Sequence, residues 1–157
     1  HAVKKHQNFV EVMEFSDCVM AWEGWEGCQL PNMKKANFDW CFDASGAGAE
    51  HALAAVSTSK LLEDVSFDNC DKIPAEAWKR WQGCQFPNMK KANFHKCFNE
   101  SGAGAEHVLA AVSTSTFLKD VVFDWCSCRY EHQQAPGGCG LWRVRGDPRG
   151  GMAALPP

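Results

Sequence analysis

Residues 21–70 read AWEGWEGCQLPNMKKANFDWCFDASGAGAEHALAAVSTSKLLEDVSFDNC, and residues 77–126 read AWKRWQGCQFPNMKKANFHKCFNESGAGAEHVLAAVSTSTFLKDVVFDWC. The two stretches align without a gap at an offset of 56 residues, and 36 of 50 positions are identical. Such identity indicates a tandem duplication, and a period near 50 residues is typical of stacked supersecondary units. The sequence therefore predicts a repeat protein in which one unit packs on the next.

The flanks of the duplicated stretch carry pieces of further units. Residues 9–18, FVEVMEFSDC, align with the ends of both units, and residues 137–142, GGCGLW, resemble the start of one. We predict that residues 1–17 are the end of a preceding repeat or an N-terminal arm, 18–69 are repeat 1 and 70–125 are repeat 2. Residues 126–157 are expected to be the truncated start of a third repeat and an extended tail rich in Gly and Pro. The chain then represents two full units of a longer array.

Each unit is expected to form three short helices. Trp78, Trp81 and Cys84 come after Pro74, are spaced three residues apart and lie on one helical face. The second helix is NMKKANFxxCF, where Phe and Cys form an i, i+3, i+4 apolar edge. The third runs from the small residues SGAGAE to DVSFD or DVVFD, and STS interrupts it. Its end also fits a short strand, because Val and Phe favour strands.

Nine cysteines in 157 residues are typical of a disulfide framework in an oxidising compartment. Reduced core thiols in a cytosolic protein are the alternative. Disulfides and packing between units would both stabilise a repeat of about 50 residues, which is too small to be stable alone. At least one thiol is free or forms an intermolecular bond because nine is odd, and Cys28 is the candidate. The candidate pairs are Cys18–Cys41, Cys70–Cys97, Cys84–Cys126 and Cys128–Cys139.

The predicted fold class is therefore mainly α: two tandem disulfide-stapled helical repeats with an irregular C-terminal tail. The tail contains Arg145-Gly146-Asp147, which resembles the integrin-recognition tripeptide. Three residues without a structural context carry little weight as a motif.

No arrangement typical of a catalytic or cofactor site occurs in the sequence. A P-loop, a G-x-S-x-G motif, a dinucleotide fingerprint and an EF-hand loop are all missing. Glu50-His51 and Glu106-His107 recur, and a His beside a Glu can bind a metal or act as a base. No second His follows at i+3 or i+4, so capping or packing is the favoured role. We predict no enzyme activity, no metal and no cofactor.

The tryptophans fall into two groups. Those at positions 22, 25, 78 and 81 recur at helical spacing and are expected in the core. Trp40 and Trp125 align with Lys96 and Asn69, so the duplicated fold does not require an aromatic ring there. We expect both near the surface, in contact with a partner, a membrane interface or a ligand.

Charge and hydropathy restrict the function. A net charge of −3 offers no broad phosphate-neutralising field, so nucleic-acid binding is not expected. The longest uncharged apolar stretch is too short to span a bilayer, although peripheral membrane contact stays open. The leading hypothesis is a non-catalytic structural or protein-interaction component, such as a peripheral subunit of a larger assembly, that is secreted or in an organellar lumen. The alternative is a protein that binds a small apolar ligand, a lipid or pigment, between helices. A secreted toxin or effector is the weaker alternative.

Overall fold

A computed structural model describes residues 7–18, 22–42, 44–98, 102–124, 142–146 and 152–154. Strands that follow one another along the chain are neighbours in one sheet. The two strands nearest the C-terminus are antiparallel to their neighbours, and the first five are parallel to one another. The strands are β1 (Val12–Ser16), β2 (Lys35–Asp39), β3 (Asp64–Ser66), β4 (Lys91–His95), β5 (Asp120–Asp124), β6 (Trp142–Gly146) and β7 (Met152–Ala154).

The chain adds one parallel strand with each turn, so residues 7–124 form a solenoid. Paired residues on successive strands are 23, 29, 27 and 29 positions apart. Two successive spacings of 29 and 27 add up to the 56-residue offset of the duplication. Each duplicated unit therefore contributes two coils, and the coil is the smallest structural repeat.

Short helices complete the coils. The described α-helices are α1 (Ala49–Ser57), α2 (Ala75–Trp78) and α3 (Ala105–Val112), and 3-10 turns lie at Gln7–Phe9, Trp22–Trp25 and Lys79–Trp81. The four tryptophans in these segments are buried, as predicted. Trp81 donates a hydrogen bond from Nε1 to the carbonyl of Leu53 in α1, at 3.1 Å. No helix in the described part of the chain has the length and apolar character needed to cross a membrane.

A row of phenylalanines runs through the core beneath the sheet. Each coil contributes one ring, from within the strand or, for Phe67, directly after β3: Phe15, Phe38, Phe67, Phe94 and Phe123. Neighbouring ring centroids are 5.8, 5.0, 6.1 and 5.2 Å apart. Since aromatic pairs at such distances contribute beyond their buried area, this row ties each coil to the next.

The prediction of a mainly α fold is wrong, because both predicted second helices are strands. In β2, Ala36 and Phe38 face inward, while Lys35, Asn37 and Asp39 face outward. A five-residue strand shows only two inward positions, which is too few for a period of two to be recognised in the sequence. The ends of the third segments are also strands, at Asp64–Ser66 and Asp120–Asp124.

The predicted disulfide framework is also wrong within the described residues. The six cysteines described are free thiols, and two of them donate hydrogen bonds to the coil before them. Cys70 Sγ lies 3.1 Å from the carbonyl oxygen of Phe38, and Cys97 Sγ donates to that of Phe67. The free thiols are Cys18, Cys28, Cys41, Cys70, Cys84 and Cys97. Cys126, Cys128 and Cys139 lie outside the described residues.

Coil geometry explains why cysteines recur in register. Asp17, Trp40, Asn69 and Lys96 follow their strands with φ between 51° and 61°, and the next residue in each case is a cysteine. The left-handed residue turns the chain out of the strand, and the cysteine then enters the core as a small hydrogen-bond donor. The predicted pairs Cys18–Cys41 and Cys70–Cys97 are thus neighbours in a stack of thiols and are not covalently bonded.

Candidate interaction surface

The sheet buries one face and leaves the other open to solvent. Parallel sheets are usually covered on both faces, so an open one is unusual. Mostly polar side chains occupy the open face at alternate positions of the strands, with Val12 and Val122 as the apolar exceptions. Because this alternation is fixed by the buried phenylalanines, the open side chains are held at regular spacing along the solenoid.

We call this open side the outward face. Its side chains form three rows that run across the strands, one row for each outward position of a coil. The first row is Val12, Lys35, Asp64, Lys91 and Asp120; the middle row is Glu14, Asn37, Ser66, Asn93 and Val122; and the last row is Ser16, Asp39, Asp68 and His95.

A chain of hydrogen bonds crosses three strands of this face. Asn93 Nδ2 donates to Ser66 Oγ at 3.2 Å, and Ser66 Oγ donates in turn to Asp39 Oδ1. The same carboxylate oxygen accepts the backbone N–H of Asp68 at 2.8 Å. These bonds hold the side chains of Asp39, Ser66 and Asn93 in fixed positions.

A second link of the last row joins Asp68 and His95. Asp68 Oδ1 lies 2.7 Å from Nδ1 of His95 and also accepts a hydrogen bond from Asn69 Nδ2 at 2.8 Å. The pair orients the imidazole ring across neighbouring coils. Within the part of the chain that the structure describes, no group of three or more His, Cys, Asp and Glu side chains is arranged to hold a metal ion.

The outward face carries more carboxylates than lysines. Lys35 and Lys91 alternate with carboxylates along the first row, and neighbouring strands are about 4.8 Å apart, so opposite charges stand side by side. The face as a whole carries these two lysines against five carboxylates. Those carboxylates are Glu14, Asp39, Asp64, Asp68 and Asp120.

An open groove of about 230 Å³ lies across β3, β4 and β5 on the outward face. Such a volume is below the usual range for small-molecule pockets and suits one or two side chains of a partner. A second open groove, of about 360 Å³, lies near α2 and is lined by Glu50, Glu76, Lys79 and Arg80 among others. Charged groups therefore line both grooves.

The structure places one of the two candidate interaction tryptophans at the surface. Trp40 directly follows Asp39, the residue of β2 in the last row, and 46% of its surface is exposed. Its backbone N–H donates to the carbonyl of Asp68 at 2.8 Å, which fixes the residue beside the carboxylates. Its part in an interaction stays a prediction. Trp125 lies outside the described residues.

The buried thiols are poor candidates for chemistry. Burial raises the pKa of Cys41 from 9.0 to about 11, and it also raises the pKa of Cys84. The pKa of Cys97 is raised well above its usual value, first by burial and then by the neighbouring Cys70 thiol. A thiol that stays protonated at neutral pH is a weak nucleophile and a weak metal ligand. The described geometry therefore assigns these cysteines a structural role.

The two repeated His–Glu pairs lie on helices and not on the outward face. His51 Nε2 is 3.6 Å from Glu50 on α1, and His107 Nε2 is 3.6 Å from Glu106 on α3. The equal distances follow from the duplication. The capping or packing role of the two pairs stays a prediction.

The sequence contains a signal for the outward face that the 56-residue alignment hides. Met33-x-x-Ala36-x-Phe38-x-x-Cys41 and Leu62-x-x-Val65-x-Phe67-x-x-Cys70 have the same spacing within one unit. Aligning these half-units places the intervening polar residues in rows. The spacing is similar to the apolar pattern of coils in leucine-rich repeat solenoids.

Comparison with known proteins gives no assignment. No family model matches the chain, and neither a curated protein nor a solved structure matches it.

Proposed function

We propose that this chain is a non-catalytic solenoid that binds a protein partner on its outward face. The observation that carries the proposal is the open face of the parallel sheet, where hydrogen bonds between strands fix the polar side chains. Side chains that are already ordered lose little conformational entropy on binding, which favours affinity and specificity. Solenoids in general use such extended surfaces to bind other molecules.

The partner is a protein segment rich in Lys or Arg. The excess of carboxylates on the outward face attracts a basic segment and disfavours an acidic one. Trp40 adds an exposed aromatic ring beside Asp39, and such rings contribute strongly to protein interfaces through packing and cation–π contacts. This agrees with the role of a structural or interaction component, including a peripheral subunit.

The location of the protein is a separate matter. The prediction of a secreted or lumenal protein rested on disulfides, and the described cysteines are thiols. The secreted or lumenal location therefore stays a prediction, and the described cysteines do not support it. For the small-ligand alternative, the two grooves described above give no support, because both are open to solvent and charged side chains form part of their lining.

Binding to synthetic peptides tests the proposal. We expect the protein to bind peptides rich in Arg and Lys, and to ignore acidic peptides of matched length. The double variant Glu14→Lys, Trp40→Lys should raise the Kd about tenfold, since it removes a carboxylate and an aromatic ring from this side. Lys96 occupies the position of Trp40 in the second unit, so the coil accommodates this substitution.

The control is Glu23→Lys in the Trp22–Trp25 turn, which raises the net charge by two, against three for the double variant. Lys79 is its counterpart in the second unit, so this variant should also fold. Its Kd should equal that of the original protein. Equal binding of acidic peptides, or an equal loss of affinity in the control, would contradict the proposal.

A further inference from the structure

A second surface lies where the parallel strands begin. We call it the amino-end face; it consists of residues 8–12, 31–35, 60–64, 87–91 and 116–120. Backbone hydrogen bonds of 2.7–2.8 Å join its segments in chain order. The N–H of Lys34 donates to Glu11, that of Glu63 to Lys34, that of Lys90 to Glu63 and that of Lys119 to Lys90. The face is therefore as regular as the sheet.

Large apolar side chains project from this face at every second coil. Phe9 is 82% exposed, Leu61 40% and Phe117 57%. Asn32 and Asn88 occupy the same position in the coils between them and donate to backbone carbonyls of the preceding coil. Since strands are about 4.8 Å apart, the apolar side chains are separated by about 10 Å.

Lysines are concentrated on the same face. Six of the nine described lysines lie here, against four carboxylates, so the face carries a net charge of +2. All other described side chains together carry four cationic groups against ten carboxylates. A face of the opposite sign to the rest of the molecule orients it toward a negatively charged partner. The lysines are Lys34, Lys35, Lys60, Lys90, Lys91 and Lys119.

We propose that the amino-end face docks on an anionic lipid surface. Phe9, Leu61 and Phe117 enter the boundary between headgroups and acyl chains, and the lysines contact lipid phosphates and carboxylates. Protein interfaces need a continuous apolar core, which isolated side chains separated by asparagines do not provide. A fluid bilayer accommodates such isolated side chains. This surface adjoins the outward face, and the two share the first row with its charged residues Lys35, Asp64, Lys91 and Asp120.

Flotation with lipid vesicles tests this inference on the whole chain. We expect binding to vesicles of phosphatidylcholine and phosphatidylserine in a ratio of about two to one, and little binding to phosphatidylcholine alone. The variant Leu61→Asn, Phe117→Asn should lower the partition coefficient about tenfold. Asparagine already occupies this position in alternate coils, so the substitutions suit the fold.

Charge variants separate the contribution of the lysines. Lys60→Thr, Lys119→Glu should also lower vesicle binding about tenfold, and raised salt should have the same effect. Both substitutions copy the counterpart in the other unit, Thr116 and Glu63. The control Lys79→Glu, which copies Glu23, should bind as the original protein does.

Three results would overturn the inference. They are equal binding to neutral and anionic vesicles, absence of binding to anionic vesicles at low salt, and an equal loss in the Lys79→Glu control. Binding to soluble polyglutamate that is as tight as vesicle binding and insensitive to Leu61→Asn, Phe117→Asn would instead indicate an acidic protein partner. The three results that would overturn the inference do not bear on peptide binding by the outward face.

Discussion

Phe67 holds the middle of the phenylalanine row, stacked between Phe38 and Phe94 and fully buried. Its removal leaves a cavity between two coils that the sheet register prevents from collapsing. We expect Phe67→Ala to lower the free energy of unfolding by about 3–5 kcal/mol, measured by urea denaturation. The exposed Phe117→Asn should change it by less than about 0.5 kcal/mol. Similar effects of the two substitutions would contradict the described core.

The thiol of Cys41 predicts a loss of stability at high pH. Burial raises its pKa from 9.0 to about 11 in the folded chain, so the unfolded chain releases this proton first. The stability that the protonated Cys41 thiol contributes is fully present below pH 9 and is lost as the pH rises toward 11. Unfolding midpoints in urea at several pH values should fall more steeply for the original protein than for Cys41→Ala. Parallel slopes would show that this thiol is not buried as described.

At the scale of the element, the start of α1 depends on glycine. Gly48 has φ of +74°, and a Cβ there would lie 2.6 Å from Cβ of Trp22. Backbone strain and this clash act together, so Gly48→Ala should lower the thermal midpoint of unfolding by at least about 4 °C. Gly24→Ala is the control, because nothing lies within 4 Å of its added Cβ. A midpoint for Gly48→Ala equal to that of the control would contradict the described approach of helix and turn.

The Ser57-Thr58-Ser59 cluster predicts the end of α1 from the sequence. A short strand is the sequence's alternative at β3 and β5, whereas nothing in the sequence predicts β2 and β4. Thr58 Oγ1 bonds to the carbonyl of Ala55 and accepts the N–H of Leu30, so the cluster both ends the helix and ties it to the previous coil. Ser59 adds a hydrogen bond to the carbonyl of Met33 at 2.6 Å. The competition of hydroxyl groups for helix hydrogen bonds involves residues close in the chain, so it can be recognised in the sequence. Strands of three to five residues form through pairing with residues distant in the chain, and the sequence does not show which residues these are.

At the scale of the molecule, the six described cysteines are free thiols, so we expect them to make no redox-dependent contribution to stability. Each disulfide would contribute about 2–4 kcal/mol and raise the melting temperature by several degrees. In the variant Cys126→Ser, Cys128→Ser, Cys139→Ser, only the six described cysteines remain. We expect its Tm to be unchanged by a reducing agent. A drop of about 4 °C or more would show bonds that the structure does not contain.

The repeat, the buried tryptophans and the exposure of Trp40 could be predicted, because duplication makes two copies of each position comparable. The outward face could not, since its rows are formed only when coils of unlike sequence stack. Asp39 and His95 occupy equivalent positions 56 residues apart. Aligning the two units does not show that Asp39 contacts Ser66 or that His95 contacts Asp68. Their contacts depend on strand register.

Alternation between unlike coils sets a parity rule for how this chain can change length. Loss of residues 64–90 would bring Lys91 into register beside Lys35, whereas loss of residues 64–119 would bring Asp120 there. Like charges directly opposite each other destabilise a sheet, and opposite charges stabilise it. Gain or loss of an odd number of coils therefore places like charges side by side in the first row, whereas an even number keeps lysines and carboxylates alternating. Growth or shortening by whole pairs of coils is the route that the fold tolerates.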